Sequence, residues 1–175
     1  MDIHFAPLSL AGLDALKSEV LCLPVFADER PLRGAPGLLD WRLCGRLSRL
    51  LVEGMLVGEE GEALLMPPPE ERVAVERLLF LGAGARATFD EERCRALMAA
   101  LCARVRALRV RTFALALPHD AAGALDPARA IDLLLEACAA DGERLDEVVI
   151  VDTPEAQRAM EPRIERARRR ALTEE

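Results

Sequence analysis

Aromatic residues are scarce in this sequence of 175 residues: they make up 3 % of it, tyrosine is absent and there is one tryptophan. Hydrophobic residues nevertheless account for 51 % of the chain. The core must therefore be built from Leu, Val and Ala, as in layered helix-and-sheet proteins. A chain of this length fits one domain and buries roughly 70 % of the surface of its unfolded state, so we expect it to fold without metals or disulfides.

Lysine is almost as rare, with Lys17 as the one example, and the formal net charge is −7. A net acidic surface repels phosphate groups, so we expect neither nucleic acid nor an anionic membrane as the main partner. The longest apolar runs, such as Val20 to Phe26 and Thr112 to Leu117, are too short to cross a bilayer. Met1 to His4 lacks the positive start of a signal peptide. These features predict a cytoplasmic protein.

The cysteines are odd in number and lack the C-x-x-C spacing of metal and redox sites. They are Cys22, Cys44, Cys94, Cys102 and Cys138. All lie in apolar segments, which predicts buried free thiols that pack as small hydrophobic side chains. A histidine close to Cys102 or Cys138 in space would change that interpretation.

Apolar segments alternate with helical patterns along the chain. The predicted strands are Ile3 to Ala6, Val20 to Phe26, Glu62 to Met66, Val75 to Leu81, Thr112 to Leu117 and Glu147 to Val151. Because the later strands alternate with helices, we predict an α/β fold in three layers, with a mixed, mostly parallel sheet between helices.

Helix starts are marked by specific residues. After a Pro- and Gly-rich loop, a helix with a leucine stripe is predicted from about Leu38. Thr88 to Glu91 has the form of a capping box, and Asp126 and Thr153 each precede a proline, as helix caps do. The arginine-rich stretch 163–175 is predicted to be a charged helix end or tail following a domain of residues 1–162.

A glycine turn follows the fourth strand. Gly82 to Ala87 matches the dinucleotide fingerprint G-x-G-x-x-A, but the predicted helix cap comes later, at Thr88, and no acid stands at a strand end about 20 residues on. A tight turn that needs positive φ is the simpler interpretation.

The loop from Leu117 to Pro127 lies between a strand and a helix, where open α/β sheets bind their ligands. His119 beside Asp120 is compatible with an acid–base pair, but a surface turn is the favoured interpretation, since adjacent residues rarely face each other. The candidate ligand-binding residues are Gly82, Gly84, Pro118, His119 and Gly123. We expect no catalytic residues, no metal ligands and no cofactor, because the acidic residues fit helix caps and solvated faces.

Three segments in a fixed order carry a family resemblance. They are the strand Val20 to Phe26, the leucine-rich stretch Trp41 to Val52 followed by Glu53 to Gly58, and Arg77 to Gly84 with its glycine turn. In this order and spacing they resemble the N-terminal domain of leucyl aminopeptidases of the M17 peptidase family.

The resemblance implies a macro-like fold. In full-length relatives this domain precedes a catalytic domain that binds two metal ions, and it helps to form a hexamer. A metal-binding segment of the Asn-Thr-Asp-Ala-Glu-Gly-Arg type has no counterpart here, so we expect no peptidase activity. Pro118 to Pro127 is also similar to the phosphate-binding loop of macro domains, whereas Ala27 to Pro31 replaces their acid and asparagines.

The leading hypothesis is a non-catalytic aminopeptidase N-terminal-type domain that acts in oligomer assembly or protein interaction. Its partner would be another copy or another protein, including a separate aminopeptidase catalytic subunit. The alternative is a macro-type binder of ADP-ribose or a related nucleotide. A truncated product without a selected role is the third interpretation.

Overall fold

The computed structural model describes residues 1–69, 73–119, 125–141 and 145–171. Six strands form one sheet: β1 (Asp2–Pro7), β2 (Val20–Val25), β3 (Ala63–Met66), β4 (Arg77–Gly82), β5 (Thr112–Leu115) and β6 (Glu147–Asp152). Their order is β1-β6-β5-β2-β4-β3. The pairs are parallel except β3 with β4, which is antiparallel. The predicted mixed, mostly parallel sheet is confirmed.

Helices cover both faces of the sheet. They are α1 (Leu10–Ala15), α2 (Gly34–Arg42), α3 (Arg46–Val52), α4 (Glu91–Ala107), α5 (Pro127–Asp141) and α6 (Pro154–Ala171). One face carries α4, α5 and α6 and is called the long-helix face; the other carries α1, α2 and α3 and is called the short-helix face. Among the described helices, none is long and apolar enough to cross a membrane.

The alternation of side chains along the strands produces two cores. On β2, Val20 and Cys22 pack into the long-helix core, whereas Leu21, Leu23 and Val25 pack into the short-helix core. Every residue of β2 is buried, because helices cover both faces of this strand and β4 and β5 pair with it on either side.

The predicted helix from Leu38 differs in two ways. It begins at Gly34 rather than at Leu38, so the predicted start was wrong. A proline such as Pro36 is tolerated in the first turn of a helix, because the N–H groups of that turn are unpaired. The predicted helix is also two helices, separated by Cys44 and Gly45 at φ values of 55° and 76°. Cys44 is exposed, which contradicts its predicted burial, while the other four cysteines are buried.

The capping box was wrong as well. The Asp90 carboxylate, not Thr88, caps α4 by accepting a hydrogen bond from the Arg93 N–H at 3.0 Å. Thr88 ends a short 3-10 turn (Arg86–Thr88), and its hydroxyl donates to the Ala85 carbonyl. Asp caps at least as well as Thr, so the later residue starts the helix.

Candidate functional site

A cleft opens at the carboxyl ends of the parallel strands. Two adjoining pockets of about 240 and 550 Å³ share Phe26, Glu29, Arg33, Arg86 and His119 as lining residues. These residues follow β2, β4 and β5, and Asp152 at the end of β6 lines the smaller pocket. We call this region the strand-end cleft, and it is where α/β sheets of this type bind ligands.

His119 and Asp152 form the most buried polar pair of the cleft. Nε2 of His119 lies 2.7 Å from Oδ2 of Asp152, and their side chains are 16 % and 6 % exposed. The other carboxylate oxygen accepts a hydrogen bond from the Thr153 N–H at 2.8 Å. Nδ1 of His119 is buried and makes no hydrogen bond with the part of the chain that the structure describes. The carboxylate thus orients the imidazole, and the buried Nδ1 can gain a hydrogen bond only from a water or after a shift of the side chain.

Arg86 forms the opposite wall. Its guanidinium lies 4.7 Å from the Phe26 ring centroid, 3.5 Å from a Glu29 carboxylate oxygen and 3.4 Å from the His119 carbonyl oxygen. The Asp28 carboxylate accepts a hydrogen bond from the Arg86 N–H at 2.7 Å, and this bond holds the pKa of Asp28 below its ordinary value. The wall is therefore fixed by contacts between the loops after β2 and β4.

The beginning of α2 adds positive charge. Arg33 precedes the helix without capping it by a side-chain hydrogen bond. Its exposed guanidinium makes no ion pair with the described residues. Arginine and free helix N–H groups favour anions, while Glu29 and Asp152 supply carboxylates. The cleft can therefore bind a polar, partly anionic molecule, and the His119–Asp152 pair can exchange hydrogen bonds with it.

The sequence-predicted site residues fall into separate places. Pro118 and His119 line the cleft, and Gly123 lies outside the described residues. Gly82 and Gly84 face residues 58–62: their N–H groups donate to the carbonyls of Glu62 and Gly58 at 2.9 and 2.8 Å. A ligand role for these residues stays a prediction.

The predicted partner of His119, Asp120, also lies outside the described residues. The structure pairs His119 with Asp152, one of the acidic residues that were predicted to be helix caps or solvated. Thr153 is the residue that caps α6, through its hydroxyl and the Ala156 N–H at 3.3 Å. The His119–Asp152 pair could have been found only from the strand order, because Asp152 ends one parallel strand and His119 follows another. In residues 1–69, 73–119, 125–141 and 145–171, no group of three or more His, Cys, Asp or Glu side chains is placed to hold a metal ion.

A second candidate surface is apolar. The exposed large hydrophobic side chains of the described chain include Trp41 at 69 %, Val52 at 88 %, Met55 at 62 %, Val57 at 43 % and Leu65 at 45 %. All five belong to residues 41–65, which comprise the end of α2, α3 and the edge strand β3. We call this stretch the 41–65 segment.

The comparisons with known proteins agree on one domain type. Residues 22–143 match the model of the N-terminal domain of the cytosol aminopeptidase family. A probable cytosol aminopeptidase of Thermosynechococcus vestitus is 38 % identical over 115 residues, which are 65 % of this chain and 23 % of that protein. The chain thus matches about a quarter of the length of this relative.

Solved structures show the same fold. A mutant of tomato leucine aminopeptidase superposes with a TM-score of 0.61 at 16 % identity, over 91 % of this chain and 35 % of that one. An Oceanobacillus iheyensis macrodomain with ADP gives 0.65 at 8 % identity, over 90 % and 88 % of the two chains. The predicted macro-like three-layer fold is confirmed.

Proposed function

The chain belongs to the cytosol aminopeptidase family through its N-terminal domain, and from this premise we propose that it acts as an assembly or interaction domain without peptidase activity of its own. The family match confirms the resemblance found in the sequence. The relative's cytosolic description supports a cytoplasmic location, which cell fractionation would test.

The exposed 41–65 segment carries this proposal. Large apolar side chains that remain in water cost free energy and are typical of protein interfaces. Trp41 and Val52, the two most exposed, lie on α2 and α3 of the short-helix face. Trp41 is the type of residue that contributes most to binding energy. On α3, Arg46 and Arg49 are exposed and make no ion pair with described residues. The segment therefore offers apolar anchors with a polar rim, and a second copy of the chain is the first partner to test.

Trp41 makes the test specific. Because the chain has one tryptophan and no tyrosine, its ultraviolet emission reports on this surface alone. Purified protein should show a rising mass by light scattering as concentration increases, together with a blue shift of the Trp41 emission. A monomer with unshifted emission at every concentration would contradict self-association. The same emission then tests a separate aminopeptidase catalytic polypeptide as partner.

A substitution tests whether the 41–65 segment mediates the association. Val52→Asp should weaken it, because a charge replaces an apolar side chain that is 88 % exposed in the isolated chain. Ala159→Asp, at an exposed helical position on α6, is the matched control and should leave association unchanged. A leucyl peptidase assay with added Mn²⁺ or Zn²⁺ tests the other half of the proposal, since metal-dependent cleavage by the pure protein would refute it.

The second candidate function is binding of ADP-ribose or a related nucleotide in the strand-end cleft. The His119–Asp152 pair and the two arginines Arg33 and Arg86 support it, as does the similar fold of a macrodomain solved with ADP. Calorimetry with ADP-ribose and ADP should give heat that Arg33→Ala reduces, while Arg158→Ala on α6 serves as control. Absence of heat and of any thermal shift at millimolar ligand removes this candidate.

A further inference from the structure

Two cysteines meet between helices of the long-helix face. Cys102 lies on α4 and Cys138 on α5, 36 residues apart in sequence, and their Sγ atoms are 3.8 Å apart. Both side chains are largely buried, with 4 % and 9 % exposed. The two thiols are therefore in van der Waals contact and belong to different helices.

Ion pairs also join the two helices that carry these thiols. Arg95 on α4 pairs with Glu136 on α5, and Arg129 on α5 pairs with Glu91 on α4 at 2.6 Å. A disulfide requires Sγ atoms about 2.05 Å apart, so the present separation must shrink by only about 1.8 Å. Rotation of the two side chains about their Cα–Cβ bonds is the movement that shortens this separation.

The other buried thiols are less suited to reaction. Burial raises the pKa of the Cys22 thiol, and the nearby Cys102 raises it further. Burial also raises the pKa of Cys94 to about 12. These thiols stay protonated at neutral pH and are poor nucleophiles. Cys138 is the most exposed of the four buried cysteines, which makes it the first of them that an oxidant can reach.

We propose that Cys102 and Cys138 form an oxidation site, at which a peroxide converts the two thiols into a disulfide that links α4 to α5. The Cys138 sulfur attacks one peroxide oxygen, the thiol proton leaves with the other oxygen as the first water, and Cys138 becomes a sulfenic acid. Cys102 then attacks that sulfur, the S–S bond forms and the second water leaves. Two thiols lose two protons and two electrons, and the peroxide takes them up. A dithiol reductant reverses the step by thiol–disulfide exchange.

Hydrogen peroxide treatment of the folded chain tests the site. The Cys44→Ser variant is the starting protein, because Cys44 is exposed and would form disulfides between molecules. The remaining thiols are then alkylated. After the mass of the alkyl groups is subtracted, the intact protein should be lighter than the reduced protein by about 2 Da, and peptide mapping should find residue 102 linked to residue 138. Adding Cys138→Ser should abolish the link.

Two further measurements keep the result independent of how the variants fold. The linked peptide should form in higher yield from native protein than from protein in urea, because the fold brings the thiols together. The oxidised protein should melt about 5 °C or more above the reduced form, since the link closes a long loop in the unfolded chain. Full oxidation of Cys44 in the unsubstituted chain while Cys102 and Cys138 still alkylate would overturn the proposal.

Discussion

The two faces of the sheet differ in how they are built. The long-helix face carries helices of 15 to 18 residues, each with a side-chain cap from Asp90, Asp126 or Thr153, and a shared network of ion pairs. The short-helix face carries helices of 6 to 9 residues, and the N-cap residues of α2 and α3 make no side-chain hydrogen bond, although the Asp40 carboxylate accepts one from the Ser48 N–H in the first turn of α3. Arg33 and the helical part of the 41–65 segment, with Trp41 and Val52, belong to this second face, whereas Glu60 and Gly61 contact Arg93 and Arg104 of α4.

This difference separates stability from candidate function. Long, capped helices that pack along their whole length resist local opening, whereas short helices joined by loops bury less apolar surface per residue and open more easily. Surfaces that bind partners or ligands are commonly built on such less stable elements. We therefore expect most of the folding free energy on the long-helix face, and four comparisons test that expectation.

The largest expected difference is between two core leucines. Leu101 on α4 and Leu47 on α3 are both fully buried. Leu101→Ala should lower the free energy of unfolding by about 4 kcal/mol and Leu47→Ala by about 2.5 kcal/mol, because a short helix can shift to fill part of the cavity. Urea denaturation measures both. Equal losses would mean that the two faces are equally rigid.

A glycine at the end of β4 tests how closely residues 58–62, which follow the short helices, pack against the sheet. A Cβ on Gly82 would lie 1.8 Å from the Glu59 carbonyl oxygen, so Gly82→Ala must push residues 58–62 outward and should cost about 2–3 kcal/mol. Gly54→Ala is the control: its position is open but has a φ of +71°, which should cost about 1 kcal/mol. If Gly82→Ala cost no more than Gly54→Ala, residues 58–62 would be able to move away from the added methyl group at little cost.

Helix caps give a smaller contrast. Asp90→Ala should destabilise the protein by about 1 kcal/mol, because it removes the hydrogen bond to the Arg93 N–H. Arg33→Ala, at the uncapped start of α2, should change stability by less than about 0.5 kcal/mol. Thermal melts of both variants against the unsubstituted chain measure the difference. A larger loss for Arg33→Ala would show that its guanidinium stabilises the cleft wall.

The sequence predicted the layers well and the cleft only in part. Strands such as β2 are apolar throughout and helices such as α4 have a regular stripe, so local pattern and burial agree. The break at Cys44 and Gly45 was missed because the leucine stripe continues across it. The His119–Asp152 pair was missed because a pair between the ends of β5 and β6 depends on strand order, which no local pattern encodes. No local pattern distinguishes the exposed apolar residues of the 41–65 segment from core residues, because their exposure depends on which elements pack against them.

The smallest expected effect concerns the ion pairs that join α4 to α5. The Arg95 and Arg129 guanidinium groups hold the pKa of Glu136 below its ordinary value of 4.5, the hydrogen bond from Arg95 being the largest cause. A carboxyl whose pKa is lower in the folded state stabilises that state above pH 4.5, and the contribution is lost as pH falls through the folded pKa. Glu136→Gln should therefore lower the melting temperature slightly at neutral pH, by at most about 2 °C because the group is exposed.

The pH dependence and a matched pair decide what this small effect means. The difference between Glu136→Gln and the unsubstituted chain should shrink as the pH falls below 4.5, and salt near 1 M should reduce it at neutral pH. Asp14→Asn removes the Arg42–Asp14 pair between α1 and α2, which is 2.7 Å long and exposed. Because Glu136 pairs with two arginines and Asp14 with one, Glu136→Gln should lower the melting temperature more than Asp14→Asn does. A larger loss for Asp14→Asn would place the stronger electrostatic link on the short-helix face and weaken the contrast between the two faces.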